Sequence, residues 1–263
     1  MNRKPLILAA VVLILLTVVP MAQAITFGES DGDGHPNVGA MILSTADGTK
    51  YVFCSGTLIA PTVFLTAAHC TDGAAAFGVA AHDVWVTFDP IFNQNTNTFY
   101  RGTYDLNPNF GHDQHDLNDI AVIILDEPIT DIDPATLPTA GLLDDMKDAH
   151  QLKGQKFVTV GYGLLREDKT KGPLVLGTAG ERYYADQTFQ TLKPYWLQLS
   201  ANPSKDNGGS CFGDSGGPHF LGNTNMVVSL TSTGDSWCRA TDQTYRVDTD
   251  SARAYLSQFV TLP

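Results

Sequence analysis

The chain has 263 residues, with 28 Asp and Glu against 16 Lys and Arg, a formal net charge of −12 and a hydrophobic fraction of 43%. That length and apolar content suffice for a large core, as one β-rich domain or two small ones. The acidic balance excludes the basic surface that a nucleic acid or an anionic membrane requires of its partner.

In chain order, the first feature is a leader. Arg3 and Lys4 open the chain, residues 6–19 form an apolar run, Pro20 breaks it, and Ala22-Gln23-Ala24 follows. A positive start, an apolar stretch and an A-x-A site predict a signal peptide over residues 1–24, cut to leave Ile25 at the N-terminus. The run falls short of the roughly 20 residues of a membrane span, so the expectation is export, to the medium or a periplasm, without stable membrane association. An uncleaved anchor is the alternative. In an exported protein the four cysteines read as two disulfides, and counting alone leaves three pairings open.

Beyond the leader come short runs rich in Val, Ile, Tyr, Phe and Thr, separated by Gly, Pro, Asn and Asp. "VGAMIL" (38–43), "KYVFCSG" (50–56), "VFLTAA" (63–68), "VWVTF" (84–88), "TFYRGTY" (98–104) and "DIAVIIL" (119–125) occupy the first half. "KFVTVGYG" (156–163), "YWLQLS" (195–200), "MVVSLTS" (226–232) and "TYRV" (244–247) occupy the second. Strands at this spacing predict an all-β sandwich or barrel, not βαβ units. Residues 130–155 lack strand alternation and read as a crossover between two halves. At the C-terminus Ala252, Tyr255, Leu256, Phe259 and Val260 recur with helical period, after cap candidates Asp248, Thr249 and Asp250.

Chemistry enters with "SCFGDSGGPHF" (210–220). Gly213-Asp214-Ser215-Gly216-Gly217 fits G-x-S-x-G, the nucleophile elbow of α/β-hydrolases, but that fold needs its histidine well after the serine. Only His219 follows Ser215, too close to be a separately folded partner, and alternating helices are missing. The reverse order is present. "TAAHC" places His69 beside Cys70 at the end of an apolar strand, and "NDIAVIIL" places Asp119 at the start of another. A serine hydroxyl needs an adjacent base, and the base needs a carboxylate to hold its tautomer. Asp116 competes for that last role; without the Ile-Ala-Val that follows Asp119 it reads as part of a solvated loop. His112, Asp113 and His115 lack further metal ligands nearby, and "DGDG" (31–34) lacks the spacing and closing Glu of a calcium loop. His35, His82, His150 and His219 read as ordinary polar or partly buried residues.

With "GDSGGP", these segments are the three motifs of the trypsin/chymotrypsin-like serine proteases, which the sequence resembles from about Ile25 to the C-terminal helix. The resemblance implies two packed antiparallel six-stranded β-barrels, at about 25–135 and 150–247, and a C-terminal helix at about 249–260. It implies a secreted serine endopeptidase acting on protein or peptide substrates as a monomer, with no cofactor and no metal. His69 would be the base, Asp119 its orienting partner and Ser215 the nucleophile, with the N–H groups of Gly213 and Ser215 as oxyanion hole. It also implies disulfides Cys54–Cys70 and Cys211–Cys238, and an activation pair between the Ile25 amino group and Asp214. In the family's substrate pocket, Gly209 would stand at the base, and Ser232, Thr233 and Gly234 along one wall. Glycine at the base argues for a small or medium apolar side chain before the cut bond. Asp242 and Gln243 are the residues whose placement would change this, since an acid at the pocket restores a basic preference. An esterase with the same triad and a non-catalytic binding protein on the same fold are the alternatives.

Overall fold

The computed structural model describes residues 25–164 and 180–263; the expected leader, residues 1–24, lies outside them. The chain forms the expected pair of six-stranded antiparallel barrels with a helix at the C-terminal end. The first barrel closes β2 (Val38–Ser44), β3 (Lys50–Ala60), β4 (Val63–Thr66), β7 (Ala121–Leu125), β6 (Tyr100–Tyr104) and β5 (Val84–Thr87), in that order. The second closes β8 (Lys156–Gly161), β9 (Tyr183–Leu192), β10 (Trp196–Ser200), β13 (Thr241–Arg246), β12 (Val227–Gly234) and β11 (Pro218–Leu221). A two-residue strand, β1 (Glu29–Ser30), pairs on the edge of β9. Among the described residues, α1 (Ala68–Ala76) and α2 (Leu142–Asp148) lie between strands and α3 (Asp250–Leu256) follows the last one.

Strand composition follows the burial each strand must satisfy. In β2, Met41 and Leu43 point into the first barrel's core beside Leu58 and Phe64. Val38, Ala40 and Ile42, on the opposite face, join a core shared with Val158, Val160, Leu230 and Tyr245 of the second barrel. A strand buried on both faces reads as an unbroken apolar run, as β2 does. The shared core also takes in Ala252, Tyr255 and Leu256 of α3. Thr249 caps α3, its hydroxyl accepting from the N–H of Ala252, while Asp248 is drawn away to the buried Arg246. The regular helix ends at Leu256, before the expected boundary, with Phe259 and Val260 still packed on the shared core.

Polar ties fix the barrels to each other. Arg182 is 1% exposed and reaches Asp31 at 2.7 Å, the carbonyl of Val38 at 3.0 Å and that of Phe88 at 2.9 Å. Asp31 also bonds His35, so the carboxylate that opens the "DGDG" segment is occupied by a guanidinium and an imidazole of the chain itself. Asp116 departs from the solvated-loop expectation. It is 5% exposed and accepts from the Tyr245 hydroxyl at 2.8 Å, which links a first-barrel loop to β13.

Candidate active site

β4 runs directly into α1, with Ala67 still extended as the cap and His69 in the first helical turn. The expectation of a strand end is thus met one step later, on a short alanine-rich helix without an amphipathic stripe. The Cys54–Cys70 disulfide ties this turn to β3. Asp119 sits in the loop before β7. Asn118 ahead of it takes φ +52°, a left-handed conformation that asparagine tolerates better than most residues. The Asn107 amide steadies the loop by donating to the carbonyls of Asn118 at 3.1 Å and Ile120 at 3.0 Å.

The Asp119 side chain is almost fully buried against His69. Its Oδ1 accepts the backbone N–H of His69 at 2.9 Å, and its Oδ2 lies 2.9 Å from Nδ1 of the ring. The Ser232 hydroxyl donates to the same Oδ2. A carboxylate only accepts, so it selects the tautomer with the proton on Nδ1 and leaves Nε2 as the basic nitrogen. Burial opposes charge on both groups, but their hydrogen bond and mutual attraction outweigh it. The His69 pKa lies above the ordinary 6.5 and that of Asp119 below the ordinary 3.8.

The serine loop is built from glycine and held from both sides. Gly213 takes φ +96°, and a Cβ there would stand 2.9 Å from the Cα of Gly163. Gly216 takes φ +77°, and a Cβ there would stand 2.2 Å from the Thr66 hydroxyl oxygen. The loop therefore packs directly on the strand–helix junction that carries His69, an approach only glycine allows. The carbonyl of Ser215 accepts from the N–H of Ser55 at 2.9 Å and faces Cys70 Sγ at 3.7 Å. Cys211–Cys238 closes the loop from the far side. The N–H of Asp214 donates to Cys211, that of Gly216 to Thr231 and that of Gly217 to Asp214. Among the described residues the N–H groups of Gly213 and Ser215 have no acceptor. Open donors on such a loop form a nest for an anion.

Asp214 is fully buried, its oxygens accepting from Gly163 at 2.7 Å and Cys211 at 2.8 Å. Burial, helped by the nearby charge of Asp242, pushes its pKa up to about 7 in spite of these bonds. Ile25 is also fully buried, packed with Tyr183 and Ala185. Thr26 and Gly209 exchange backbone hydrogen bonds at 2.9 and 3.0 Å, which draws the start of the described chain into the second barrel.

Ser215 opens on a cavity of about 310 Å³ lined by Ser210, Phe212, Thr231, Ser232, Thr233 and Gly234, among others. The cavity therefore takes up three of the four expected pocket residues, but Gly209 is not part of its lining. A Cβ at Gly209 would come within 2.3 Å of that of Ala201, so glycine there serves packing. Asp242 is 1% exposed, behind the cavity, accepting from the Ser210 N–H at 2.8 Å. Gln243 accepts from Gln198 on β10. Cys54, His69 and Cys70 lie close enough together to suggest metal ligands, but the two sulfurs are bonded to each other.

Three contributors escaped the sequence reading. Ser55 accepts from the N–H of Tyr162 and donates to the carbonyl of Gly213, both at 3.0 Å, bracing the loop from behind. Ser232, expected along the pocket wall, is also a partner of Asp119. Asp235 gathers the N–H groups of Trp237, Arg239, Ala240 and Thr241 and shapes the cavity rim. Only Asp235 carried a signal, as an aspartate after glycine in a turn-rich segment.

Comparison with known proteins bears on this geometry. The sequence model of the family described as Trypsin matches residues 29–256. The chain belongs to the trypsin family. All three motifs of this trypsin-family chain fall inside the matched range. It is similar to mouse vitamin K-dependent protein C, at 27% identity over 206 residues, which are 72% of this chain and 42% of that protein. The chain thus spans about two fifths of that relative's length. Among solved structures, HL collagenase superposes with a TM-score of 0.61 at 20% identity, over 88% of this chain and 96% of that one. At that identity the likeness speaks for the trypsin-family fold alone.

Proposed function

We propose that the chain is an exported serine endopeptidase. The observation that carries the reading is the pairing of a His69 ring locked by Asp119 with a Ser215 loop whose Gly213 and Ser215 N–H groups stand open. In the reaction, Ser215 Oγ attacks the scissile carbonyl carbon as its proton passes to Nε2 of His69. The carbonyl oxygen becomes an oxyanion against the two N–H groups. His69 then gives its proton to the leaving amine, and an acyl-enzyme remains on Ser215. Water, deprotonated by the same ring, releases the acyl group and restores the serine.

Two further elements belong to the proposal. Cleavage after Ala24 frees the Ile25 amino group, which neutralises the buried Asp214 and settles the serine loop without a separate activation peptide. The cavity takes a small or medium apolar side chain before the cut bond, as the resemblance implies. Lysine and arginine are disfavoured because the Asp242 carboxylate is withdrawn behind the lining and already engaged. The substrates are proteins or peptides, the enzyme acts as a monomer outside the cytoplasm, and the chemistry needs no cofactor.

Digestion of a mixed peptide library by protein beginning at Ile25, read by mass spectrometry beside Ser215→Ala, tests this. Internal cleavage by the unmodified protein alone is expected. Hydrolysis of esters without peptide cleavage would favour an esterase, and no turnover of either a non-catalytic binding protein.

A further inference from the structure

Behind the cavity runs a chain of polar side chains that the catalytic reading leaves unused. Thr231 on β12 lines the cavity, and its Oγ1 lies 2.9 Å from Nε2 of His219 on β11. Nδ1 of His219 lies 2.8 Å from Oε1 of Gln187 on β9. The amide nitrogen of Gln187 donates at 2.5 Å to Oδ2 of Asp242 on β13, which also accepts from the Ser210 N–H. Four strands of the second barrel each contribute one member, and none is more than 4% exposed.

Elementary hydrogen-bond accounting fixes the direction of this chain. A carboxylate can only accept, so Gln187 must turn its NH₂ to Asp242 and its carbonyl to His219. His219 must then carry its proton on Nδ1, which leaves a lone pair on Nε2. Thr231 must donate its only hydroxyl proton to that lone pair, and what remains for the cavity is an acceptor. The protonation states agree: burial lifts Asp242 to about 6, leaving it ionised at pH 8, and lowers His219 to about 3, leaving it neutral.

We propose that the relay Asp242–Gln187–His219–Thr231 holds the Thr231 hydroxyl as a hydrogen-bond acceptor in the substrate pocket, selecting primary-amide side chains such as glutamine at the position before the cut bond. This rests on the peptidase reading and replaces the apolar preference at that position with a polar one. A glutamine amide supplies the missing donor. A glutamate carboxylate sets acceptor against acceptor, and a methionine of similar length leaves the hydroxyl oxygen dry and unpaired. Asp242, Gln187 and His219 act through Thr231 and are positioning residues. In this arrangement the buried acid serves to polarise a neutral site, not to bind a cation.

The test compares kcat/KM at pH 8 for otherwise identical peptides with Gln, Glu or Met before the cut bond, using protein that begins at Ile25. Glutamine should lead both others by roughly tenfold or more, since sites built to hydrogen-bond discriminate strongly against analogues lacking the group. Thr231→Val should collapse the Gln-to-Met ratio towards one, and Thr231→Ser should retain it. A readout independent of turnover is the ¹⁵N NMR of imidazoles in the Ser215→Ala protein, where His219 should carry its proton on Nδ1. Equal cleavage after Gln and Met, a ratio unmoved by Thr231→Val, or a proton on Nε2 would each overturn the relay while leaving the peptidase standing. Failure to cut any peptide would remove the peptidase reading and the selectivity claim together, with the tautomer still deciding the direction of the relay.

Discussion

At the scale of single residues, the site turns on which nitrogen of His69 is basic. Asp119 holds the Nδ1 proton through two bonds to the residue, one from the ring and one from the backbone. Asp119→Asn keeps the shape and allows the wrong tautomer; turnover should fall by about 10⁴-fold, the loss known for this exchange in serine-protease triads. The sign of the pH dependence follows from the same contact. In the proposed role of base His69 works only when neutral, and its folded pKa lies above 6.5. The kcat/KM of the unmodified protein should therefore fall as pH drops through a midpoint above 6.5. Asp119→Asn should move that midpoint downward, because burial remains and the charge that opposed it is gone. A midpoint that stays in place would detach Asp119 from the base. Gly213→Ala tests the other half of the site. It forces a side chain into a left-handed backbone and towards Gly163, and misplacing one oxyanion donor should lower kcat by about 100–1,000-fold. Folding should be checked in parallel by circular dichroism.

Among elements, the disulfides do the holding that short segments cannot do alone. Cys54–Cys70 closes a separation of 16 residues and Cys211–Cys238 one of 27. Replacing the second pair with alanines should cost roughly 3 kcal/mol by loop entropy, seen as a lower Tm, and loosen the serine loop. Legibility in the sequence followed burial. Strands with apolar residues on their buried face, such as β2, β7 and β12, stand out in the amino-acid order. β9 does not: its inward positions run Tyr183, Ala185, Gln187, and the buried glutamine breaks the alternation that marks a strand. β11 is hidden because Pro218 and His219 read as the tail of the serine motif. α1 shows no stripe because its buried face is made of small residues, Ala68, Cys70, Thr71 and Ala74, and an alanine, Ala76, stands on the exposed side beside Asp72. The triad motifs were legible because their chemistry demands particular residue types in order. The relay was not, since Gln187, His219, Thr231 and Asp242 are far apart in sequence and polar one by one. Only the pairing of β9, β11, β12 and β13 turns them into a connected chain.

For the whole molecule, the proposed link between the N-terminus and the serine loop runs through the buried Asp214 of the second barrel. A carboxylate whose folded pKa is raised to about 7 makes the folded state less stable as pH climbs from the unfolded value of 3.8 towards 7. An ammonium at Ile25 would reverse that shift. Protein beginning at Ile25 should therefore melt higher than protein blocked at that amine near pH 7–8; the gap should narrow as pH falls below 7 and the blocked form takes up its proton on Asp214, and close only below the lowered pKa of the paired carboxylate. Equal melting curves at pH 8 would sever Ile25 from Asp214. Activity should also decline at alkaline pH as the amine loses its proton. Above all, the proposed reaction makes Ser215 the nucleophile that this assembly activates. It is tested most directly by treating protein that begins at Ile25 with a fluorophosphonate and mapping the adduct by mass spectrometry, beside the His69→Ala variant. One adduct is expected, on Ser215, formed far more slowly without His69. An unmodified Ser215, or labelling indifferent to His69, would contradict it.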